Sequence, residues 1–310
     1  MIREIANAIR TKKPSNIILG FQRFLAWNPP LRKLRYDLLI KLGYSEVLRE
    51  VQEGVMILNL KYGGIHRDLF IHGIREPWST MIFKKELKRG DVVIDIGANI
   101  GYYVLIEASK VGKEGLIYAI EPSLRNLRYL LINIKLNNIQ DRVVVKRLAI
   151  GDRDGYAYMK RGEAPYLDRV ALTMIKDVEK TPMMTLDSFI KKENIHKVDF
   201  VRMDVEGFEL RIIRGMKTTL KRFSPKLFIE IHPTMMYKYY GDRLKEFLEE
   251  LSLHGYVIKY AVWEPLTPIY LPTQRVLSGW KIAKNLKPEE ILKDPSLRRD
   301  WVRLFLERER

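Results

Sequence analysis

The stretch Asp91-Val92-Val93-Ile94-Asp95-Ile96-Gly97-Ala98-Asn99-Ile100-Gly101 decides the fold. Residues 92–96 form a mostly apolar, β-branched run that is typical of a strand buried on both faces. Gly97 and Gly101 follow at the spacing of a turn into a helix, where the missing Cβ atoms let a ligand approach the backbone. The sequence therefore predicts a strand, a ligand-binding glycine loop and a helix in direct succession.

Strands and helices alternate from Asp91 onward. The predicted strands are 92–96, 116–120, 143–148, 200–203, 227–231 and 256–262, and the predicted helices are 101–111, 124–136, 209–223 and 243–253. This alternation predicts an α/β fold, a doubly wound, mostly parallel Rossmann-like sheet with ligands at the carboxyl ends of its strands. Residues 151–197 are less regular and predict extra strands or a lid.

The glycine loop also indicates the class of cofactor. A dinucleotide loop has the pattern G-x-G-x-x-G, and Asn99 stands at its second glycine, which disfavours NAD. Glu121 follows the next predicted strand, 20 residues beyond Gly101, where an acidic side chain binds ribose hydroxyls. We therefore expect S-adenosylmethionine (SAM), which carries a ribose and an amino acid. The alternative is an ordinary strand-to-helix turn, with Glu121 capping the helix that follows.

Several further segments complete a recognisable pattern. They are Glu121-Pro122, Leu148-Ala149-Ile150-Gly151-Asp152, Met184-Thr185-Leu186-Asp187, Asp199-Phe200-Val201-Arg202-Met203-Asp204-Val205-Glu206-Gly207-Phe208-Glu209 and Ile229-Glu230-Ile231-His232-Pro233. Together with the glycine loop, they resemble the FkbM-type methyltransferases, class I enzymes that use SAM. The resemblance covers Asp91 to about Pro233 and implies that acceptors are mostly hydroxyls of small molecules and sugars. The cofactor contacts that we expect are Asp95, Gly97, Ala98, Asn99, Gly101, Tyr102, Glu121, Pro122, Ala149, Ile150 and Asp152.

Four side chains at two strand ends are the candidates for catalysis. Asp204 and Glu206 follow one predicted strand, whereas Glu230 and His232 alternate on the next and therefore point to the same side. A hydroxyl or amine acceptor must lose a proton, which a carboxylate or imidazole can take. The alternatives are helix capping or pairing with arginine for the two acids after the first strand, and a structural role for His232. The acids could also hold a divalent cation, although we predict no metal site.

The composition limits the class of protein. A chain of 310 residues with 46% hydrophobic residues can bury a full core. No apolar run reaches the roughly 18 residues of a membrane span, and we expect a cytoplasmic, heat-adapted protein. With no cysteine, disulfides, thiolate zinc sites and a cysteine nucleophile are excluded.

The charge indicates a partner. The net charge is +17 and the pI about 9.8, and residues 1–90 hold 17 basic against 8 acidic residues, a net charge of +9. Clustered cations on a basic chain are typical of nucleic-acid binding; a lysine-rich surface that serves solubility is the alternative. We therefore expect RNA, modified at a nitrogen or ribose oxygen and bound by Arg10, Lys12, Lys13, Arg32, Lys33, Arg35, Arg298, Arg299 and Arg303.

The predicted organisation has three parts. Residues 1–90 form a basic appendage with helices at 17–27, 31–42 and 77–87 and a hairpin of strands 55–60 and 68–72; residues 91–285 form the methyltransferase domain, and residues 286–310 carry a basic helix at 297–306. Besides RNA methylation, two functions stay open: O-methylation of a sugar, lipid precursor or other small metabolite, and a binding protein that keeps the fold without turnover.

Overall fold

A computed structural model describes residues 29–160, 162, 168–171, 178–263 and 281–309. Its centre is an eight-stranded sheet with the order β13-β12-β14-β11-β10-β3-β4-β5. The strands β3, β4, β5, β10 and β11 are parallel to one another, whereas β14 pairs antiparallel with both β11 and β12, and β13 pairs antiparallel with β12. The fold is the predicted α/β, doubly wound sheet. Its strands are β3 Val92–Ile96, β4 Leu116–Ile120, β5 Val143–Lys146, β10 Phe200–Met203, β11 Lys226–Ile231, β12 Tyr256–Trp263, β13 Lys281–Leu286 and β14 Val302–Arg308.

The order of the strands places the ligand site. The chain runs from β3 to β4 and β5 on one side, then returns to β10 and β11 on the other. The strand order therefore reverses between β3 and β10, and the crevice at such a point is where open α/β sheets bind ligands. Helices cover the sheet at Tyr102–Val111, Leu124–Leu136, Leu186–Lys192, Glu209–Arg214, Lys217–Phe223 and Leu244–Leu253.

The irregular segment after β5 forms a second sheet. It has four strands in the order β6-β9-β7-β8, which confirms the expectation of extra strands. The strands are β6 Ala149–Ile150, β7 Gly155–Lys160, β8 Arg169–Ala171 and β9 Val178–Met184.

Gly215 divides a helix that the sequence predicts as continuous over residues 209–223. Two helices, Glu209–Arg214 and Lys217–Phe223, replace it. A Cβ atom on Gly215 would lie 2.0 Å from the carbonyl oxygen of Gly151, so the backbone there packs directly on the loop after β6. This long-range contact breaks the helix.

The N-terminal segment differs from its prediction in one element. The helix Pro29–Lys41 and the helix Pro77–Glu86 lie where we expect them. The hairpin, however, joins β1 Glu46–Val51 to β2 Gly54–Asn59, and residues 68–72 belong to the helix Gly64–His72. A short apolar run fits a strand or a buried helix equally well. The predicted helix 17–27 lies outside the described residues.

The predicted C-terminal helix at 297–306 is wrong. Residues 302–308 form β14, which lies between β11 and β12 inside the sheet. Five consecutive residues of this strand are buried, because the sheet continues on both of its sides. No helix in the described ranges is long and apolar enough to cross a membrane.

Candidate active site

The glycine loop lies at the carboxyl end of β3. Gly97 has a φ of +83°, and a Cβ atom there would lie 2.0 Å from the carbonyl oxygen of Asp204. The loop after β3 therefore packs without a gap on the loop after β10. Asn99 has a φ of +52°, which is uncommon for a residue with a side chain, and its amide points at Glu121.

Glu121 ends β4 and is 4% exposed. Its carboxylate accepts one backbone hydrogen bond on each oxygen, from the amides of Asn99 and Ser123, both at 2.8 Å. Burial raises the pKa of Glu121 to about 7. The side chain of Asn126 donates a third hydrogen bond to this carboxylate. One of the four lone-pair sites of the carboxylate is then left for a ligand hydroxyl, so Glu121 can hold the loop and also bind a ribose.

A cleft opens beside these two elements. The predicted cofactor residues that line it are Gly97, Ala98, Asn99, Tyr102, Glu121, Pro122, Ala149 and Ile150. Sequence reasoning missed Asn126, Asp168 and Phe208, which line the same cleft. Asn126 and Asp168 lie in no motif, and Phe208 lies in the motif after β10 but offers no polar group that would single it out. The structure places the other three candidates elsewhere.

Those three candidates surround the cleft without lining it. Asp95 is fully buried and pairs with Arg202 at 2.8 Å, so it orients the loop. Gly101 packs on Leu130. The Asp152 carboxylate accepts a hydrogen bond from Arg211 at 3.1 Å.

Arg202 connects the loops at the cleft floor. Its guanidinium donates to Asp95 at 2.8 Å, to the carbonyl of Gly97 at 3.2 Å and to Asp204 at 3.1 Å. It also lies 4.0 Å above the ring of Tyr103. A buried arginine with these partners fixes the relative position of the two strand ends.

Below the cleft, acids surround a histidine. The Nδ1 atom of His232 lies 2.7 Å from Oε1 of Glu209, and its Nε2 atom lies 3.7 Å from Oε2 of Glu206 and from Oε1 of Glu230. Asp204 and Glu206 line the cleft, whereas Glu230 and His232 are buried behind them. We call these five residues the acid–histidine cluster. It unites the four predicted catalytic side chains with Glu209, which the sequence analysis missed.

Burial changes the protonation of this cluster. It raises the pKa of Glu206 to about 7 and that of Glu230 to about 8. Burial lowers the pKa of His232, but the surrounding carboxylates outweigh it and hold that pKa well above its ordinary value. Glu206 also has a φ of +53°, and such conformations persist mainly where function requires them.

Two arginines from distant segments complete the surroundings. Arg303 of β14 is 0% exposed and pairs with Glu230 at 2.9 Å and with Glu76 at 3.0 Å. Arg75, beside Glu76 in the N-terminal segment, lines the cleft. Although burial raises the pKa of Glu76, Arg303 and Arg75 hold it at about 2. Arg303 was predicted to bind RNA, but its guanidinium lies inside the protein, where no phosphate backbone reaches it.

The other predicted RNA contacts are scattered. Arg32 donates to the carbonyl of Ile71 at 3.2 Å, and Arg35 lies 5.6 Å from the ring centroid of Phe70. Lys33, Arg298 and Arg299 are exposed, and Arg299 lies 4.4 Å from the ring of Trp263. Arg10, Lys12 and Lys13 lie outside the described residues.

The sequence profile of the methyltransferase FkbM domain matches residues 95–258, just over half of the 310 residues. The chain belongs to the FkbM methyltransferase family. The matched residues are the SAM-dependent methyltransferase domain of that family. The cleft fits SAM, because the glycine loop and the partly unsatisfied carboxylate of Glu121 meet in one wall. Bound there, SAM supplies a sulfonium methyl group that is already activated for transfer.

Several solved structures match this chain at low identity. The methyltransferase FkbM from Methylobacillus flagellatus KT is 19% identical, with a TM-score of 0.42 over 79% of this chain and 52% of that one. The chain described here thus spans about half the length of the protein from Methylobacillus flagellatus. A SAM-dependent O-methyltransferase from Thermotoga maritima is 15% identical, with a TM-score of 0.43 over 85% and 86% of the two chains. A putative rRNA-methylase from Clostridium thermocellum is 12% identical, with a TM-score of 0.41 over 74% and 93%. No curated protein matches the sequence.

Proposed function

We propose that this enzyme methylates a hydroxyl oxygen of a small acceptor, such as a sugar, a lipid precursor or another hydroxylated metabolite. The observation that carries the proposal is the position of Asp204 and Glu206. Both follow β10 and line the same cleft as the glycine loop and Glu121. An acceptor in that cleft would have its oxygen beside carboxylates that can take a proton.

The chemistry of an alcohol calls for such a base. As the oxygen forms its bond to the methyl carbon, the carbon–sulfur bond breaks and the hydroxyl proton passes to a carboxylate. S-adenosylhomocysteine leaves as a neutral thioether, so charge and atoms balance. Glu206 is our candidate for the base, because its raised pKa of about 7 suits proton transfer near neutral pH. Asp204 positions the acceptor, while Glu230 and His232 support Glu206 from behind.

The charge of the cleft floor favours a small acceptor over a polyanion. The acid–histidine cluster has four carboxylates, and the cations beside it already pair with acids, as Arg202 does with Asp204 and Arg303 with Glu230. A phosphate near these carboxylates would be repelled. None of the predicted phosphate contacts that lie within the described residues lines this cleft either.

RNA is the second candidate, and the observation that favours it is the net charge of +17. Lys33, Arg298 and Arg299 are exposed, so their positions would allow them to contact the phosphate backbone of RNA. A ribose hydroxyl would use the same carboxylates as a sugar hydroxyl does. In either case we propose that the described part of the N-terminal segment, residues 29–90, forms the substrate side of the cleft, because Ile65 and Arg75 line it.

The test is transfer of tritium from labelled SAM to separated RNA, lipid and small-metabolite fractions of the source cell. We expect label in a hydroxylated small molecule. Glu206→Gln should reduce the single-turnover rate at least 100-fold with SAM affinity nearly unchanged. Glu193→Gln is the matched control, because its side chain is 22% exposed against 25% for Glu206, and it should keep the full rate.

Three other outcomes would redirect the assignment. Label in RNA that is lost in Lys33→Ala and Arg298→Ala variants would promote the second candidate. SAM binding with no transfer to any fraction would favour a binding protein. An unchanged rate in Glu206→Gln would exclude Glu206 as the base.

A further inference from the structure

We propose that Asp204, Glu230 and His232 bind one divalent metal ion beside the cofactor cleft. Each side chain offers one ligand atom, and the three atoms lie within 4.8 Å of one another. Glu230 and His232 are buried, so their side chains are held in place by packing. Asp204 lines the cleft, which gives the ion a face toward the acceptor.

The spacing around His232 is that of ligands around an ion. Its Nε2 atom lies 3.7 Å from Oε1 of Glu230 and 3.7 Å from Oε2 of Glu206. Both separations exceed the roughly 3.2 Å of a hydrogen bond. Two ligands that each lie about 2.1 Å from one cation are separated by roughly 3.0 to 4.2 Å, depending on their angle. The gap between these atoms therefore has the size of a coordination site.

An unpartnered atom points into that gap. Nε2 of His232 is buried and has no hydrogen bond among the residues that the structure describes. The opposite ring nitrogen, Nδ1, lies 2.7 Å from Oε1 of Glu209. A carboxylate on the far nitrogen is the arrangement that orients a metal-binding histidine, and the second nitrogen coordinates once the ion displaces the ring proton.

The surrounding charge favours a cation. Six carboxylates and three guanidiniums lie in two neighbouring groups of ion pairs, one that includes His232 and one around Arg202. Asp204 of the second group brings them together, because a ligand atom of it lies within 4.8 Å of Glu230 and His232. The carboxylates are Glu76, Asp95, Asp204, Glu206, Glu209 and Glu230, and the guanidiniums are Arg75, Arg202 and Arg303. A divalent cation offsets most of the negative excess. Carboxylate oxygens with one imidazole nitrogen suit Mn²⁺ or Zn²⁺.

The role of the ion rests on the proposed function. A hydroxyl that coordinates to the ion through its oxygen loses its proton more readily, and Glu206 is placed to accept that proton. The acceptor class thus becomes a hydroxylated molecule that can coordinate a metal, such as a vicinal diol.

The test is Mn²⁺ binding to the full chain after dialysis against EDTA, followed by electron paramagnetic resonance. We expect one bound Mn²⁺, with nitrogen coupling from an imidazole in the electron spin echo modulation. Asp204→Asn and His232→Gln should each weaken Mn²⁺ binding at least tenfold, and His232→Gln should remove the nitrogen coupling. Asp141→Asn, an exposed aspartate with a 59% exposed side chain, is the control and should bind like the parent.

His232 is fully buried, so circular dichroism and SAM affinity must confirm that its variant folds. If the His232→Gln variant does not fold, Asp204→Asn still tests the proposal, because the Asp204 side chain is 24% exposed and its substitution is less disruptive. Absence of bound Mn²⁺ and Zn²⁺ at millimolar concentration, or bound Mn²⁺ without nitrogen coupling, would overturn the proposal. Mn²⁺ binding needs no acceptor, so a chain that binds the ion but methylates no hydroxyl would refute the proposed function alone.

Discussion

The Nδ1 atom of His232 lies 2.7 Å from Oε1 of Glu209, and neither side chain is measurably exposed. Glu209 begins the helix after β10, whereas His232 ends β11. The contact therefore joins two strand ends of the sheet and fixes the orientation of the imidazole. Glu209 is a positioning residue, because it touches His232 and does not line the cleft.

Glu209→Gln should lower turnover about 10- to 100-fold, the usual effect of losing a group that orients a functional histidine. Glutamine keeps the size of the side chain but lacks the charged carboxylate that holds the imidazole in its orientation. SAM affinity, measured by calorimetry, should stay within about twofold. Glu209→Asp should lose as much, because its shorter side chain withdraws the carboxylate. Full turnover in both variants would show that His232 needs no orienting partner.

Gly97→Ala should abolish SAM binding. The new Cβ atom would lie 2.0 Å from the carbonyl of Asp204, and the φ of +83° would be strained as well. Gly241→Ala separates the two effects, because Gly241 has a φ of +71° but no atom within 4 Å of the new Cβ. Calorimetry should find parent-like SAM affinity in the control alone; equal binding by both would mean that the loop contact is dispensable.

SAM affinity should rise with pH around neutrality. Burial raises the pKa of Glu121 to about 7, so the carboxylate that we propose accepts the ribose hydroxyls is lost as the pH falls below that value. We expect up to a tenfold loss of affinity for each pH unit below about 7. Glu121→Gln should bind SAM with a flat profile between pH 5.5 and 8, about 1 to 3 kcal/mol more weakly at pH 8. A flat profile in the parent would place the ribose elsewhere.

Glu107 should limit stability at high pH. Burial raises its pKa well above the ordinary value of 4.5, and neither of its oxygens has a hydrogen bond within the described ranges. The folded state thus keeps the proton that the unfolded chain releases above about pH 4.5, so this contribution to stability is lost as the pH rises. Glu107→Gln should therefore be about 1 kcal/mol or more stabilising in urea at pH 8, with little effect at pH 4. The exposed control Glu249→Gln should change stability at neither pH; a gain independent of pH would point to packing instead.

Arg303→Ala should destabilise the fold by about 3 to 5 kcal/mol, since it removes a cation from two buried carboxylates, of which, among the described residues, only Glu76 pairs with a second arginine, Arg75. Those carboxylates belong to Glu76 and Glu230. The exposed Arg298→Ala should stay within about 0.5 kcal/mol. Urea unfolding distinguishes the two, and a stable Arg303→Ala variant would mean that the carboxylates find another partner or take up protons.

The sequence predicts correctly those elements that depend on residues close together along the chain. Val92–Ile96 and the glycines after it identify the central strand and the loop, and alternation on β11 brings Glu230 and His232 to one side. The prediction of a second hairpin strand at residues 68–72 was wrong, because a short apolar run fits a buried helix as well as a strand. The prediction of a surface position for Arg303 was wrong for a different reason. A charged residue is usually exposed, and the acids that allow Arg303 to be buried, Glu76 and Glu230, are 227 and 73 residues away along the chain. The positive φ of Asn99 and of Glu206 has no sequence signal of its own.

The position of β14 in the sheet also determines the order in which parts of the nascent chain can fold. Its two neighbours, β11 and β12, each pair with β14, so this side of the sheet is not continuous until residues 302–308 leave the ribosome and insert between them. A chain that stops short of this strand keeps the cofactor loop but lacks the arginine beside Glu230. We therefore expect the cofactor half of the cleft to form during synthesis and the acceptor half to form last, so that prematurely ended chains are left for proteolysis rather than released as half-active enzyme.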